Sequence, residues 1–599
     1  MLKGYMNKIL FIDLSSQRVT EEVPDRQLYL DFLGGYGVGA RILFSRQRAG
    51  IDPLSPDSTL GFVTGPLTGT PALTGNRYTV VAKSPLTSTW GDANAGGDFG
   101  PYLKFAGYDA VFVTGASESP VYLHIRNGEA ELRDAGHLWG KDTYKTEDIL
   151  KSELGDGTRI ACIGQAGESL SLISCIINNK GRAAGRSGLG AVMGSKRLKA
   201  MAVTGGMKVP LADREGIKAL VRQYLGEFKK SKFIQVLQGF GTAGGTAELA
   251  YNGDSPVKNW GGIGKKDFPN AESIGGDRIL RLQERKTGCW RCPVACGGEM
   301  KAGEEYSYAQ GAAKPEYETA CAFGTLCLNN NLESIIMANE ICNRHGLDTI
   351  SAGVTVAFAI ECYEKGLIDK VDTGGIELRW GDHRAIVAIT EQMARREGFG
   401  DVLADGVKVA AGRLGKETEE YAIHVGGQEL PMHDPKYAPA YATSYAIDAT
   451  PGRHTQGSSN SSSGEDQKMK NTLCQAKNAA GICLFAGIDA EGLSQFLTAV
   501  TGHPYAVETV YEVGERISNI RQAFNSREGI NPLERYVPGR VIGRPPQTEG
   551  PLAGITVDLE TRLSNYLRAM DWDPLTAKPS KQKLEQLGLY DVAAELWHG

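Results

Sequence analysis

The 599-residue chain has no uninterrupted apolar stretch of the ~18 residues that a membrane-spanning helix requires. Its first residues, MLKGYMNKILFIDLSSQRVTEE, alternate apolar and charged side chains and lack the apolar core of an export signal, so a cytoplasmic location is the expectation. No long run of like charge occurs, and a formal net charge of −5 leaves no basic excess for nucleic acid or an anionic lipid surface. No self-similarity with a period of about 20 to 50 residues is visible, which argues against solenoids and propellers. Cysteine is sparse: 11 in 599 residues, with no export signal, do not make the disulfide framework of a small secreted domain. Reduced thiols or metal ligands are the better reading.

What is present is an ordinary globular composition, 41% hydrophobic and 23% charged, long enough for several cores at roughly 100 to 200 residues per domain. Up to residue 210 or so the chain is rich in Gly, Thr and Val. Short alternating runs, KILFIDL, YTVVAKS, DAVFVTG, PVYLHIR and AMAVTG, are separated by turn residues, the pattern of a β-rich domain. From residue 211 the period becomes helical, as in LESIIMANEICNRHG and HRAIVAITEQMARREGFG. The fold class is therefore α+β. TPGRHTQGSSNSSSGEDQ (450–467) reads as a mobile loop, and the proline-rich NPLERYVPGRVIGRPPQTEGP (531–551) as a surface connection.

The cysteines concentrate in GCWRCPVACG (288–297), where Cys289, Cys292 and Cys296 follow the spacing C-x2-C-x3-C. A structural zinc site usually pairs one close Cys couple with a second, and none follows nearby. Three thiolates close in sequence can hold three corners of an iron–sulfur cubane while the fourth ligand comes from a remote segment. Cys321, Cys327, Cys474 and Cys483 are the candidates for it; Cys342 and Cys362 lie in apolar helical stretches, where buried free cysteines are common.

Three loops of small residues, GPLTGTPALTGNRY (65–78), GDANAGGDFGPYLKFAGYD (91–109) and NNKGRAAGRSGLGAVMGSKRLKA (178–200), carry or adjoin Arg77, Arg182 and Arg186. Small residues let backbone amides approach a polyanion and arginines bind phosphate in a bidentate manner, so together the loops point to a large phosphorylated cofactor. Read singly, each is a tight turn. None matches a P-loop, and GRSGLGAVMG resembles G-x-G-x-x-G only loosely and lacks a βαβ setting.

With GPLTGT, NRYTVVAKSPLT, NAGGDFGPYLKFAGYDA, GRAAGRSGLGAVMGSKRLKA, CWRCPVAC, PEYET and NRHGLDTISAG in this order, the chain resembles the aldehyde ferredoxin oxidoreductase family of tungsten enzymes over almost its whole length. The resemblance implies a β-rich base domain (1–210) carrying a tungsten bis-pyranopterin, a helical domain (211–420) with the cluster cysteines and a catalytic glutamate, and a second helical domain (421–599). It further implies a 4Fe-4S cluster held by Cys289, Cys292, Cys296 and Cys483, and a Mg2+ bridging the pterin phosphates. Arg77, Asn94, Ala95, Gly96, Arg182, Ala183 and Gly185 match the phosphate loops, with the carbonyls of Asn94 and Ala183 as magnesium contacts. The pterin-recognition segments read Asn343-Arg-His-Gly346-Leu347-Asp348 and Asn478-Ala-Ala-Gly-Ile482-Cys483. Both begin with asparagine where the family has aspartate, which keeps an acceptor and loses charge-assisted bonding.

For catalysis the resemblance assigns a glutamate, Glu318 in preference to Glu316, and a histidine, His454 with His433 as the fallback. Cys321, three residues after Glu318, shares its helical face and resembles the metal-side cysteine of the tungsten-dependent, class II benzoyl-coenzyme A reductases; read by itself it is a small core residue. Two activities follow as expectations: aldehyde oxidation with electrons leaving through the cluster to ferredoxin or an iron–sulfur subunit, or inward electron flow to an aromatic acyl-CoA with Cys321 on the metal. A metal-binding structural subunit without turnover, or a zinc-stabilised binding protein, is the reading from another class. Homo- and hetero-oligomers are both compatible with the sequence.

Overall fold

The computed structural model describes residues 2–415 and 417–597, 44% helix and 14% strand, in accord with the α+β expectation. The first third holds twelve strands: β1 (Ile9–Asp13), β2 (Arg18–Glu22), β3 (Leu60–Thr64), β4 (Tyr78–Lys83), β5 (Trp90–Ala95), β6 (Ala110–Thr114), β7 (Val121–Arg126), β8 (Glu129–Asp134), β9 (Arg159–Cys162), β10 (Ile176–Asn178), β11 (Arg182–Ala184) and β12 (Leu198–Thr204). All five alternating runs singled out in the sequence are strands. They form two six-stranded sheets of order β2-β1-β6-β3-β4-β5 and β11-β10-β9-β12-β7-β8.

Read from the opposite edge, the second order is the first with six added to every label. The pairing senses repeat too: β1 lies parallel to β6 and β7 parallel to β12, and the other neighbours are antiparallel. The base is thus a topological duplication that no sequence period betrays.

Period-two burial builds the layers. In β1, Leu10 and Ile12 enter the core shared by both sheets while Ile9 faces a helical layer; in β12, Leu198, Met201 and Val203 enter the shared core while Ala200 and Ala202 face away. The outer face of the first sheet is covered by the helices Gly35–Arg46, Gly464–Ala480, Ala490–Thr501 and Val507–Arg527. A separate, larger core gathers residues 243–446 with Val537, Val541 and Ile542. Two readings are corrected here. The 531–551 segment is not wholly a surface connection, because those three side chains are core. Of the expected mobile loop at 450–467, Thr450 and Arg453 are buried and Gly464 onward is helix, capped by Ser463; outside the helix the exposed part is the tip at 460–463.

The duplication extends to two helix ends. The helix Leu332–His345 stops at Gly346 (φ 76°) and the helix Gly464–Ala480 at Gly481 (φ 84°), both left-handed caps that suit glycine. The first seats on Gly164, after β9; the second on Gly65, after β3. A Cβ on Gly164 would lie 2.3 Å from the His345 carbonyl oxygen, and one on Gly65 would lie 2.2 Å from the Ala480 carbonyl carbon. Backbone bonds lock both seats: Cys175 N–H to Gly346 O (2.8 Å) and Asp348 N–H to Ile173 O (3.0 Å), against Arg77 N–H to Gly481 O (3.1 Å) and Cys483 N–H to Thr74 O (3.3 Å).

Gly65→Ala or Gly164→Ala is expected to destabilise by about 1–3 kcal/mol, since backbone must move to admit one methyl. Gly226→Ala, in the helix Arg214–Lys230 with no heavy atom within 4 Å of the new Cβ, should instead stabilise by about 0.5–1 kcal/mol. Thermal unfolding midpoints check both signs.

Candidate active site

The two seats place the sequence-predicted residues in mirrored settings. β5 and β11 are the edge strands of their sheets and pack against one another, so each has a row of backbone groups outside its own ladder. Asn94, Ala95 and Gly96 lie at the end of β5, and Arg182, Ala183 and Gly185 lie in and after β11. Asn178 Nδ2 donates to Gly96 O (3.0 Å) and Asn94 Nδ2 donates to Asn478 Oδ1 (3.2 Å), joining these loops to the helix end. Asn478 is buried and its Nδ2 turns back to Cys474 O (3.0 Å); Ile482 is buried beside it. In the other half Asn343 is buried, with its carbonyl accepting from Thr143 Oγ1 (2.8 Å), Leu347 pairs with Ser174, and Asp348 caps the next helix while facing Arg186 Nε at 3.0 Å.

The thiols collect around Arg77. Its Nη2 donates to Cys483 Sγ at 2.9 Å. A Cβ on Gly96 would sit 2.6 Å from Cys289 Sγ and 3.5 Å from Arg77 Cζ, so a glycine is needed where that sulfur passes. Burial would pull the Arg77 guanidinium down, but the sulfurs of Cys483, Cys289 and Cys296 hold it well above its ordinary value. Arg182 is raised by Cys289 first, against burial, and then by Glu316. Burial pushes the Cys292 thiol up and Cys296 to about 12. The four sulfurs, set against the guanidinium groups of Arg77 and Arg182, form a donor set suited to a positively charged metal group. Among the described residues, the one trio of potential metal ligands whose atoms fall within 4.8 Å of one another is elsewhere. The cysteine sulfurs are therefore spread more widely than the ~3.8 Å implied by tetrahedral zinc with Zn–S of about 2.3 Å. Among the other fourth-ligand candidates, Cys321 and Cys327 are in the large helical core, and Cys474 Sγ faces Thr455 O at 3.2 Å.

That trio is Glu318, His433 and His454. Glu318 stands in the first turn of the helix Tyr317–Phe323. Its Oε2 accepts the Met432 N–H at 2.8 Å, while its buried Oε1 has no hydrogen-bond donor and lies 3.4 Å from His433 Nε2 and 3.5 Å from His454 Nε2. Both histidines are present, where the sequence reading held His433 in reserve. The missed residue is Asp254, whose Oδ2 meets His433 Nδ1 at 2.8 Å; a lone aspartate in YNGDSP offers no spacing to find it by. Rings of Tyr317 and Tyr441 flank His433, with centroids 5.1 and 5.0 Å away.

The charges divide. Burial raises the Glu318 carboxyl above its ordinary value, although His433, the Met432 amide and Arg186 pull it back. Burial would lower His433, but the hydrogen bond to Asp254 and the Glu318 charge outweigh it and raise it. Burial, then His433, Arg453 and Arg186, drive His454 well below its usual value. His454 is fixed from beneath: Arg453 Nη1 donates to Asp92 O (2.9 Å), and Arg521 Nη2 bridges Asp92 Oδ2 (2.8 Å) and Asp448 Oδ1 (2.9 Å). Cys321 is fully buried among Ser255, Thr325 and Tyr317, its thiol raised to about 12 by burial.

Four cysteines gathered at Arg77 and a buried histidine–carboxylate group in one chain suit a redox enzyme, and similarity to known proteins identifies the family. The model for the aldehyde ferredoxin oxidoreductase N-terminal domain matches residues 9–205, and that for domains 2 and 3 matches residues 219–589. The tungsten-containing aldehyde ferredoxin oxidoreductase of Pyrococcus furiosus is 37% identical over 611 residues, covering 98% of this chain and 99% of that protein; that of Thermococcus kodakarensis is 36% identical with the same coverage. The aliphatic sulfonate oxidoreductase, WOR-like subunit, of Pyrococcus furiosus is 29% identical over 99% of this chain and 98% of its own. Among solved structures, the active site complex BamBC of benzoyl coenzyme A reductase with 1,5-dienoyl-CoA aligns with a TM-score of 0.85 at 24% identity, over 99% of this chain and 98% of that one, a likeness of fold. The chain belongs to the aldehyde ferredoxin oxidoreductase family, whose members are enzymes that bind molybdopterin and an iron–sulfur cluster. Among the described residues no helix is long and apolar enough to cross a membrane.

Behind Asp348, the buried Glu429 accepts the Val407 N–H at 2.8 Å through Oε1, while Oε2 has no partner; burial raises its carboxyl to about 7. A carboxyl raised on folding holds its proton more tightly in the native state, so stability falls as pH climbs from the unfolded value near 4.5 through about 7 and is then level. Glu429→Gln removes that loss. Its stability advantage over wild type should open across this window to at most about 3 kcal/mol, read as the difference in thermal midpoints at pH 5 and pH 8.

Proposed function

We propose that the protein oxidises aldehydes to carboxylic acids, RCHO + H2O giving RCOOH with two protons and two electrons. The single observation carrying this reading is the donor-free Oε1 of Glu318 between two imidazoles of opposite protonation tendency. Glu318 is the base that takes the proton of the attacking water, and burial, by raising its carboxyl above the ordinary value, strengthens it for that task. His433, whose protonated form is favoured by Asp254 and by Glu318 itself, keeps the carboxylate form accessible. Neutral His454 presents a ring N–H to the substrate oxygen as charge develops there. Tyr317 and Tyr441 provide an aromatic wall against which an apolar or aromatic R group packs.

A tungsten bis-pyranopterin fits the residues on both seats, and when bound it accepts the two electrons. Arg77, Arg182 and the loop amides at Asn94–Gly96 and Ala183–Gly185 would hold its phosphates, with the edge-strand carbonyls of Asn94 and Ala183 turned to Mg2+. Asn343, Gly346, Leu347 and Asp348 on one side, and Asn478, Ile482 and Cys483 on the other, would meet the two pterin rings. Cys289, Cys292, Cys296 and Cys483 would carry the 4Fe-4S cluster, with Arg77 hydrogen-bonded to the Cys483 sulfur. Ferredoxin or an iron–sulfur subunit would receive the electrons, as the names of the relatives suggest for those proteins.

The reductive alternative, an aromatic acyl-CoA as substrate and Cys321 on the metal, draws support from the fold shared with the benzoyl coenzyme A reductase complex. The surroundings of Cys321 weigh against it: a neutral thiol engaged by Ser255, Thr325 and Tyr317 within the apolar core is a poor thiolate ligand.

Glu318→Gln is expected to lower aldehyde-dependent viologen reduction by at least about 100-fold with tungsten and iron contents unchanged. Cys483→Ser should lower the iron content and extinguish the cluster's visible absorption. Viologen silence across aliphatic and aromatic aldehydes, with turnover of benzoyl-CoA, would reverse the assignment.

A further inference from the structure

The amphipathic helix Lys232–Phe240 lies over the cysteine segment. Its Ile234 and Leu237 point inward and share a core with Val294, against which Cys292 and Cys296 also pack. Its outer face carries Phe233 (55% exposed) and Val236 (44%), and the Phe233 ring lies 6.2 Å from that of Phe485 (37%), two residues beyond Cys483. Large apolar side chains seldom sit exposed together without an occupant. The patch thus adjoins the cysteine segment, and all four thiols are partly exposed.

The rim is basic. Lys229, Lys230, Lys232, Lys286 and Arg291 are exposed on the segments beside it, against Glu227, Glu284, Asp489 and Glu491 on those segments. Lys286 Nζ binds the Gln238 carbonyl and Gln238 Nε2 donates to Pro293 O (3.1 Å), which ties the helix to the cysteine loop. Three exposed lysines within four residues of Phe233 give that side of the patch a positive excess on a chain of net charge −5, and an apolar centre with a charged rim is the anatomy of a transient protein interface.

We propose that this patch docks a small acidic one-electron carrier protein. The inference rests on the reading that electrons leave through the cluster. In each encounter the cluster gives up one electron and the carrier gains one, with no bond made or broken and no proton transferred; two encounters clear one aldehyde. The basic rim steers the acidic carrier, and Phe233 and Phe485 exclude water at the point of contact.

The test uses the holoenzyme and a small acidic 4Fe-4S ferredoxin. Lys229→Glu/Lys230→Glu/Lys232→Glu should raise the KM for ferredoxin at least about tenfold and flatten its dependence on ionic strength, and Phe233→Ser should raise it about fivefold. Both should leave aldehyde-dependent viologen reduction within about twofold, because a freely diffusing dye needs no docking face. The same reversal at the exposed lysines 365, 370 and 581 should change neither assay. Unchanged ferredoxin KM and salt dependence in both patch variants, with viologen activity intact, would overturn the proposal. So would a wild-type dimer that Phe233→Ser dissociates without altering the ferredoxin KM, which would make the patch an interface between copies of this chain. Calorimetric binding of oxidised ferredoxin reads docking without turnover. If no aldehyde reduces viologen, the activity assignment fails while docking is still decided by whether the patch variants lose that binding.

Discussion

Everything around the candidate cofactor depends on two contacts in which backbone lies on backbone. Gly65 and Gly164 end equivalent strands of the two sheets, and each receives the last turn of a helix at a distance that any side chain would forbid. A helix C-terminus has carbonyls without intrahelical partners. Here the chain reverses through Gly346 or Gly481, and the next residues hydrogen-bond to the loop preceding β10 or β4. The polar helix end is thereby satisfied by the base domain, and the residues just beyond it are delivered to the loops at the ends of β5 and β11.

The scaffold is duplicated, but its charges are not. At the position where the 343–348 segment places Asp348 against Arg186 Nε (3.0 Å), the 478–483 segment places Cys483 against Arg77 Nη2 (2.9 Å). One half ends in a carboxylate–arginine pair and the other in a sulfur–arginine pair facing three more cysteines. Two similar cradles suit a ligand with two similar arms, and their different last residues, Asp348 and Cys483, make its two sides chemically distinct. Such an arrangement needs no change of fold, only a different side chain after a common cap.

Much of this was legible in the sequence where the signal is local. Strands such as KILFIDL and AMAVTG show because burial on two faces imposes a period of two, and C-x2-C-x3-C shows because three ligands lie on one short loop. The duplication does not show: helices and loops of different lengths separate corresponding strands, so the repeat lives in hydrogen bonding and not in residue identity. Spacing left the partner of the trio open among four cysteines, since contact with Arg77 depends on where a distant helix ends. Resemblance, not spacing, pointed to Cys483. The segment at 450–463 was misread because Ser, Gly and Pro signal a solvated loop, whereas Arg453 is drawn inside by Asp92, a residue far away in β5. Composition reports what a segment can tolerate; a buried partner decides where it goes.

The histidine–carboxylate centre shows how such remote partners set chemistry. Two imidazoles stand at nearly the same distance from one carboxylate oxygen, so distance alone gives them equal roles. Their second neighbours separate them. Asp254 puts negative charge behind His433 and favours its protonated form, while burial, then the positive charge of His433, Arg453 and Arg186, favours the neutral form of His454. Arg453 is in turn held by the carbonyl of Asp92, whose own carboxylate is held by Arg521. Removing any one of these buried charges would leave its partner uncompensated, so the network resists rearrangement. Glu318 consequently meets two imidazoles of opposite protonation tendency before any substrate arrives, a difference set by the folded chain itself.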